Sequence, residues 1–244
     1  SGDARLGRHR KKLLDADVAP AKPADVAAQQ RHPGPPVQHS GQPCERVGID
    51  AFSNLHVVWT TQPVTDPRYQ KFASNGNPLT QAMSLGSLGL TPHALGLAAG
   101  RNQRAYFAFE NGSSKAIEMA FMESNFTIHN GFVAGSSGEG VTIGLDTYDR
   151  PHLFWRDRNT GALRMSVFDP DGHLDYDSVP VAEPAGPFGL PMPAVAFTSD
   201  GAIHLLQADA RAGKRSLYYT RLSQNGSTLS PPKLVTNSSA DYGD

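Results

Sequence analysis

Val141–Trp155 reads VTIGLDTYDRPHLFW, two short apolar runs on either side of the polar turn Asp146–Arg150. Runs this short, broken by Asp and Arg, are strands of a hairpin rather than turns of a helix. The same arrangement stands upstream at Val47–Trp59, VGIDAFSNLHVVW, and downstream at Ala194–Gln207, AVAFTSDGAIHLLQ. Asp50, His56 and Trp59 keep the spacing of Asp146, His152 and Trp155, and the two sets lie 96 residues apart, twice 48. A unit is therefore expected halfway between them. LGLAAG and RAYFAF supply it, with Leu97 answering Ile49, Phe107 answering Trp59 and Arg104 standing where His56 would be.

Outward from these hairpins the units complete themselves. RYQKFAS, AIEMAFM, ALRMSVF and SLYYTRLS each follow their hairpin as a third strand, and Asn75-Gly76, Asp171-Gly172 and Asn225-Gly226 are tight-turn signals leading to a fourth. Four units result, over residues 47–91, 92–139, 140–188 and 189–236. A repeat of 40–50 residues holding about four short strands is the pattern of a β-propeller blade, since one such sheet has two apolar faces and must stack against neighbours. The expected fold is all-β, a β-propeller with about four visible blades, standing alone or as part of a larger ring. No stretch keeps the period of a helix.

Residues 1–46 break the pattern. They are crowded with Pro, Gln, His, Arg and Ala and poor in β-branched and aromatic residues, so the sequence predicts a low-complexity, disordered tail or an aberrant segment translated out of frame. Its basic run Arg8–Lys12 reads as a solvated tail. Across the whole chain of 244 residues the formal net charge is −1, which gives no electrostatic footprint for nucleic acid. The single cysteine, Cys44, cannot form an internal disulfide, and no run of 18 apolar residues crosses a bilayer. The chain opens on Ser1 rather than Met, as a mature or truncated product does, so the lack of a signal peptide says little about location. Its four N-x-S/T triplets, at Asn111, Asn125, Asn225 and Asn237, read as turn chemistry. An extracellular or cell-envelope location is expected from the fold class alone.

The strand, Asp/Gly turn, His-bearing strand, Tyr-rich strand and S-x-N-G-x-T run together resemble the BNR/Asp-box repeats of sialidase-like propellers, over roughly residues 47–236. The Asp-box itself is degenerate: Ser223-Gln-Asn-Gly-Ser-Thr-Leu229 is one residue short, with Asn for Asp and Leu for Trp. The resemblance implies a mechanism with three arginines gripping a carboxylate, a Tyr activated by a Glu, and an Asp acid. Arg150, Arg156, Arg158, Arg164, Tyr148 and Glu123 are the residue types available, with no motif that groups them.

Three further sets of residues bear on function. His56, His152 and His204 recur at one position, which suggests a metal site, but equivalent positions lie on different blades, so a structural Asp–His pair holding each turn is the simpler reading. Asp169, Asp171 and Asp175 alternate around Gly172 like the later half of a calcium loop, with Val167 where a first carboxylate would be. Tyr148, Phe126 and Tyr176, near the hairpins, are candidates for stacking on sugars. The leading expectation is a non-catalytic binding module recognising glycans or proteins through blade loops. The alternatives are a sialidase-like glycoside hydrolase or a fragment of one, and a structural propeller assembled with blades from another chain or a longer parent chain.

Overall fold

The structure, a computed structural model, describes residues 45–60, 67–86, 92–182, 192–209 and 216–236. The tail expected over residues 1–46, with Arg8–Lys12 and Cys44, lies outside the described residues except for its last two positions, and so does Asn237. The described residues form sixteen strands and no α-helix. Strands β1 (Glu45–Ile49), β2 (Leu55–Thr60), β3 (Pro67–Phe72) and β4 (Met83–Ser84) make the first sheet. The second holds β5 (Pro92–Ala99), β6 (Ala105–Asn111), β7 (Ile117–Met122) and β8 (Ile128–Gly135). The third holds β9 (Gly138–Leu145), β10 (Pro151–Asp157), β11 (Leu163–Phe168) and β12 (Leu174–Ala182). The fourth holds β13 (Ala194–Phe197), β14 (Ile203–Asp209), β15 (Ser216–Leu222) and β16 (Thr228–Leu234).

Each sheet is an antiparallel meander in chain order, and the first strands pack in succession, β1 on β5, β5 on β9 and β9 on β13. The protein is a β-propeller with four blades among the described residues. Alternation along the strands gives every blade a leading face, turned to the preceding blade, and a trailing face, turned to the next. Between blades 2 and 3 the trailing residues Tyr106, Met119 and Phe121 meet the leading residues Ile143, Leu153 and Trp155 in one buried cluster. Small residues on the trailing side let the inner strands approach. Gly48 packs on Ala99, where an added Cβ would lie 3.2 Å from the Ala99 Cβ, and a Cβ at Gly144 would overlap the Phe197 ring.

The turns show that the blades are copies of one unit. At the tip of each β1–β2-type hairpin, the N–H of Asp50, Gly100, Asp146 or Thr198 donates to the carbonyl of Asn54, Arg104, Arg150 or Ala202. The fourth turn residue, Ser53, Gln103, Asp149 or Gly201, is in each case left-handed. This register corrects the expected 48-residue step. The steps are 50, 46 and 52, so Ala99 rather than Leu97 answers Ile49, and Phe109 rather than Phe107 answers Trp59. Tyr106, not Arg104, occupies the histidine position of blade 2, and Arg104 closes the turn. The average over two blades concealed one long step and one short one.

Candidate functional site

The recurring Asp and His form a buried hydrogen-bonded pair. In blade 1, Asp50 Oδ1 accepts the N–H groups of Phe52 and Asn54, while Oδ2 accepts from the Asn54 amide at 2.9 Å and His56 Nε2 at 3.2 Å, with Lys71 Nζ 3.1 Å away. Burial alone would raise the Asp50 carboxyl, but these donors outweigh it and hold the group at about 2. In blade 3, Asp146 Oδ1 accepts from the N–H groups of Tyr148 and Arg150, and Oδ2 accepts from Arg150 Nε at 2.8 Å and His152 Nε2 at 3.4 Å. Burial again opposes ionisation, and these donors again hold the carboxyl at about 2. Burial pushes both His56 and His152 down, so both imidazoles are neutral. Each carboxylate is held by the N–H groups of its own turn as well as by the imidazole, so the Asp–His pairs act as turn clamps.

The arginines hold separate structural partners. Arg104 NH1 donates to the Pro170 carbonyl at 2.7 Å and to Asp171 Oδ1 at 2.8 Å, its Nε bonds Glu123 at 3.0 Å, and its guanidinium lies 4.8 Å from the Phe121 ring centre. Arg150 NH2 donates to Gln224 Oε1 at 2.9 Å. Each of these side chains ties the inner turn of its own blade to the outer turn of the next, a stitching role that sequence reasoning missed. At the other end of blade 3, Arg158 bonds Glu110 at 2.7 Å and Arg164 bonds Asp157 at 2.6 Å and the Ser178 carbonyl at 2.8 Å, while Arg156 is buried. The seven residues of β10 separate Arg150 from Arg158 by roughly 20 Å. No three-arginine grip is formed by Arg150, Arg156, Arg158 and Arg164.

The acidic turn of blade 3 does not converge either. Asp169 accepts from the N–H groups of Asp171 and His173 and from His173 Nδ1 at 2.9 Å, Asp171 is engaged by Arg104, and Asp175 faces Arg150 at 3.6 Å. Among the described residues no three His, Cys, Asp or Glu side chains group as a metal ion would need.

What the turn face does present is aromatic surface. Tyr148 is 69% exposed at the tip of the β9–β10 turn, and Phe52 is 62% exposed at the equivalent position of blade 1. The Arg150 guanidinium lies 5.7 Å from the Tyr148 ring centre. Phe126 and Tyr176 are each 38% exposed, the first at the left-handed position of the β7–β8 turn and the second on β12. A phenol ring held by an Asp-clamped turn beside a fixed guanidinium can stack on an apolar ring face while the cation accompanies nearby oxygens. Phe52 could have been read from the sequence, since it stands two residues after Asp50 as Tyr148 stands two after Asp146.

No family model and no curated protein sequence matches the chain. Among solved structures it is similar to an α-L-arabinanase of Penicillium chrysogenum complexed with arabinobiose, with a TM-score of 0.58 and 13% identity, covering 81% of this chain and 67% of that one. It is also similar to the Aleuria aurantia lectin in complex with Fucα1-6GlcNAc, with a TM-score of 0.54 and 15% identity over 82% of this chain and 63% of that one. A Hadza microbial sialidase aligns with a TM-score of 0.53 and 12% identity over 77% of this chain, which spans 44% of that protein. At these identities the likeness is one of fold.

Proposed function

We propose that this β-propeller is a non-catalytic carbohydrate-binding module whose ligand stacks on Tyr148. The observation that carries the reading is the Tyr148 ring, 69% exposed on a turn that the Asp146 clamp fixes and flanked by Arg150. An aromatic ring left in water on a rigid turn matches the platform on which sugars stack, and a neighbouring guanidinium supplies donors for their hydroxyls or carboxylates. The lectin, arabinanase and sialidase neighbours support a sugar as the ligand class. The resemblance to Asp-box repeats belongs to the same reading: Ser223–Leu229 spans the β15–β16 turn, where the Asn225 side chain accepts the N–H of Ser227. An extracellular or cell-envelope location goes with such a ligand, and fractionation of cells expressing the gene tests it.

The deciding experiment is a glycan array followed by titration with the best oligosaccharide. Binding should weaken about tenfold or more in Tyr148→Ala, with the circular dichroism unchanged because the ring is exposed. Absence of binding to any glycan overturns the reading. Turnover of fluorogenic sialosides or arabinofuranosides replaces it with a hydrolase.

A further inference from the structure

Among the described residues, blades 1 and 4 carry the two halves of a junction that successive blades make three times. At each internal junction a small trailing residue of one inner strand meets a leading residue of the next: Gly48 against Ala99, Ala98 against Leu145, and Gly144 against Phe197. Behind them the trailing faces are sealed. Gly48, His56, Val58 and Tyr69 of blade 1 are buried, and so are Gly144, His152, Phe154 and Met165 of blade 3. Blade 4 is built to the same specification, with Ala196, His204, Leu206 and Tyr219 at those positions and a Tyr219–His204 Nδ1 hydrogen bond of 2.8 Å that repeats the Tyr69–His56 bond of 2.9 Å. Yet Ala196 is exposed, and His204, Leu206 and Tyr219 are only partly covered.

The leading face of blade 1 is the complement. Val47 and Ile49 are 37% and 45% exposed, where Leu97, Ile143 and Val195, and Ala99 and Leu145, are at most 9% exposed and Phe197 of blade 4 is partly covered. Trp59 is half-covered where Phe109 and Trp155 are buried. Among the described residues β13 and β1 share no packing comparable with that between successive inner strands, so the two faces do not cover each other within one chain.

We infer that this chain associates head to tail with a second copy of itself, blade 4 of one copy packing its trailing face on the leading face of blade 1 of the other. The occupant is a second copy because one chain presents both surfaces, and they match as Gly48 matches Ala99 and Gly144 matches Phe197. Such a contact is heterologous, so it closes into a ring or extends as a chain of copies. Uncovered, the same faces are apolar sheet surface of the kind that drives association.

Sedimentation velocity on the whole chain tests this together with two variants, Ala196→Arg and Ile49→Arg. The unaltered chain should sediment as two copies or more, and each variant alone as a monomer. A mixture of the two should return a one-to-one dimer, because Ile49→Arg keeps an intact trailing face and Ala196→Arg an intact leading face. Both sites are exposed, and a variant that had misfolded would not restore the dimer in the mixture. A monomeric unaltered chain at all concentrations overturns the inference and leaves the faces to blades of a different polypeptide. Variants that still self-associate, or a mixture that stays monomeric, overturn it too, by placing the contact elsewhere.

Discussion

Blades 1 and 3 share the Asp, His and Trp spacing that defines the repeat, yet the structure uses the shared residues differently. In both, an ionised Asp clamps the inner turn and binds a neutral His. In blade 1 the cation beside that Asp is Lys71, from the third strand of the same blade, and Asn54 fills the turn position. In blade 3 the cation is Arg150, from the turn itself, with Val167 at the Lys71 position. Lys71 serves its own blade, whereas Arg150 continues to Gln224 of blade 4. The side chain that neutralises the clamp thus decides whether a turn is also stitched to its neighbour. The tryptophans differ by surroundings alone: blade 2 buries Trp155 to 1% exposure, while Trp59 faces outward, half-covered.

The largest expected effect separates the tryptophans. Trp155→Ala should cost about 3–5 kcal/mol, the range for emptying a fully buried aromatic site. Trp59→Ala should cost less, about 2 kcal/mol under conditions where the chain is monomeric, because part of that burial is absent. Urea unfolding of both variants measures the difference. Equal losses would mean that the two blades are equally covered in solution, and the contrast between them would fail.

Acid should act on the clamps in two stages. A histidine whose folded pKa lies below its unfolded value of about 6.5 contributes stability at neutral pH that is lost as pH falls below that value, since only the unfolded chain binds the proton readily. Burial lowers both His56 and His152, so the first loss begins below about pH 6.5. The carboxyls follow. Asp50 and Asp146 are held at about 2 against the 3.8 of an ordinary aspartate, so each contributes stability that is full above about pH 4 and lost as pH falls to about 2. Each carboxyl is expected to supply about 2 kcal/mol of it. Unfolding free energies from pH 7 to 2 should fall in both windows. Asp146→Asn should flatten the lower window by about half, and His152→Gln should do the same to the upper one.

The fold was legible because propeller blades repeat, and a repeat needs only one well-preserved pair to reveal it. Blades 1 and 3 supplied that pair. Blade 2, with Gly100 for Asp and Tyr106 for His, could be placed only by averaging, and the average was two residues out; the backbone bonds of its turn correct it. The clamp itself could also be read, since Asp and His at fixed offsets around a hairpin have few other uses. Arg104 and Arg150 could not be read as stitches, because their partners Pro170, Asp171 and Gln224 lie 66 to 74 residues away on outer turns. The Asp169, Asp171 and Asp175 spacing suggested a shared cation, but spacing does not report that two of the three carboxylates face arginines.

The finest difference between the blades is a single oxygen. Asp50 can only accept, so His56 Nε2 carries the hydrogen, Nδ1 is the acceptor, and the Tyr69 hydroxyl donates to it at 2.9 Å. In blade 3 the residue at the Tyr69 position is Met165, and the buried His152 Nδ1 has no hydrogen-bond partner among the described residues, with the Phe197 ring centre 4.9 Å from that of the imidazole. Tyr69→Phe would give blade 1 the arrangement of blade 3 while keeping the ring that packs edge-on against Phe107. Leaving Nδ1 unsatisfied should cost about 1–2 kcal/mol, read as a lower midpoint in urea with an unchanged slope. No loss would mean that blade 1 accommodates an orphaned imidazole as blade 3 does, and that Tyr69 acts only through its packing. The His56→Phe, Tyr69→Phe double variant separates these outcomes, because with no acceptor left the tyrosine oxygen should contribute nothing further.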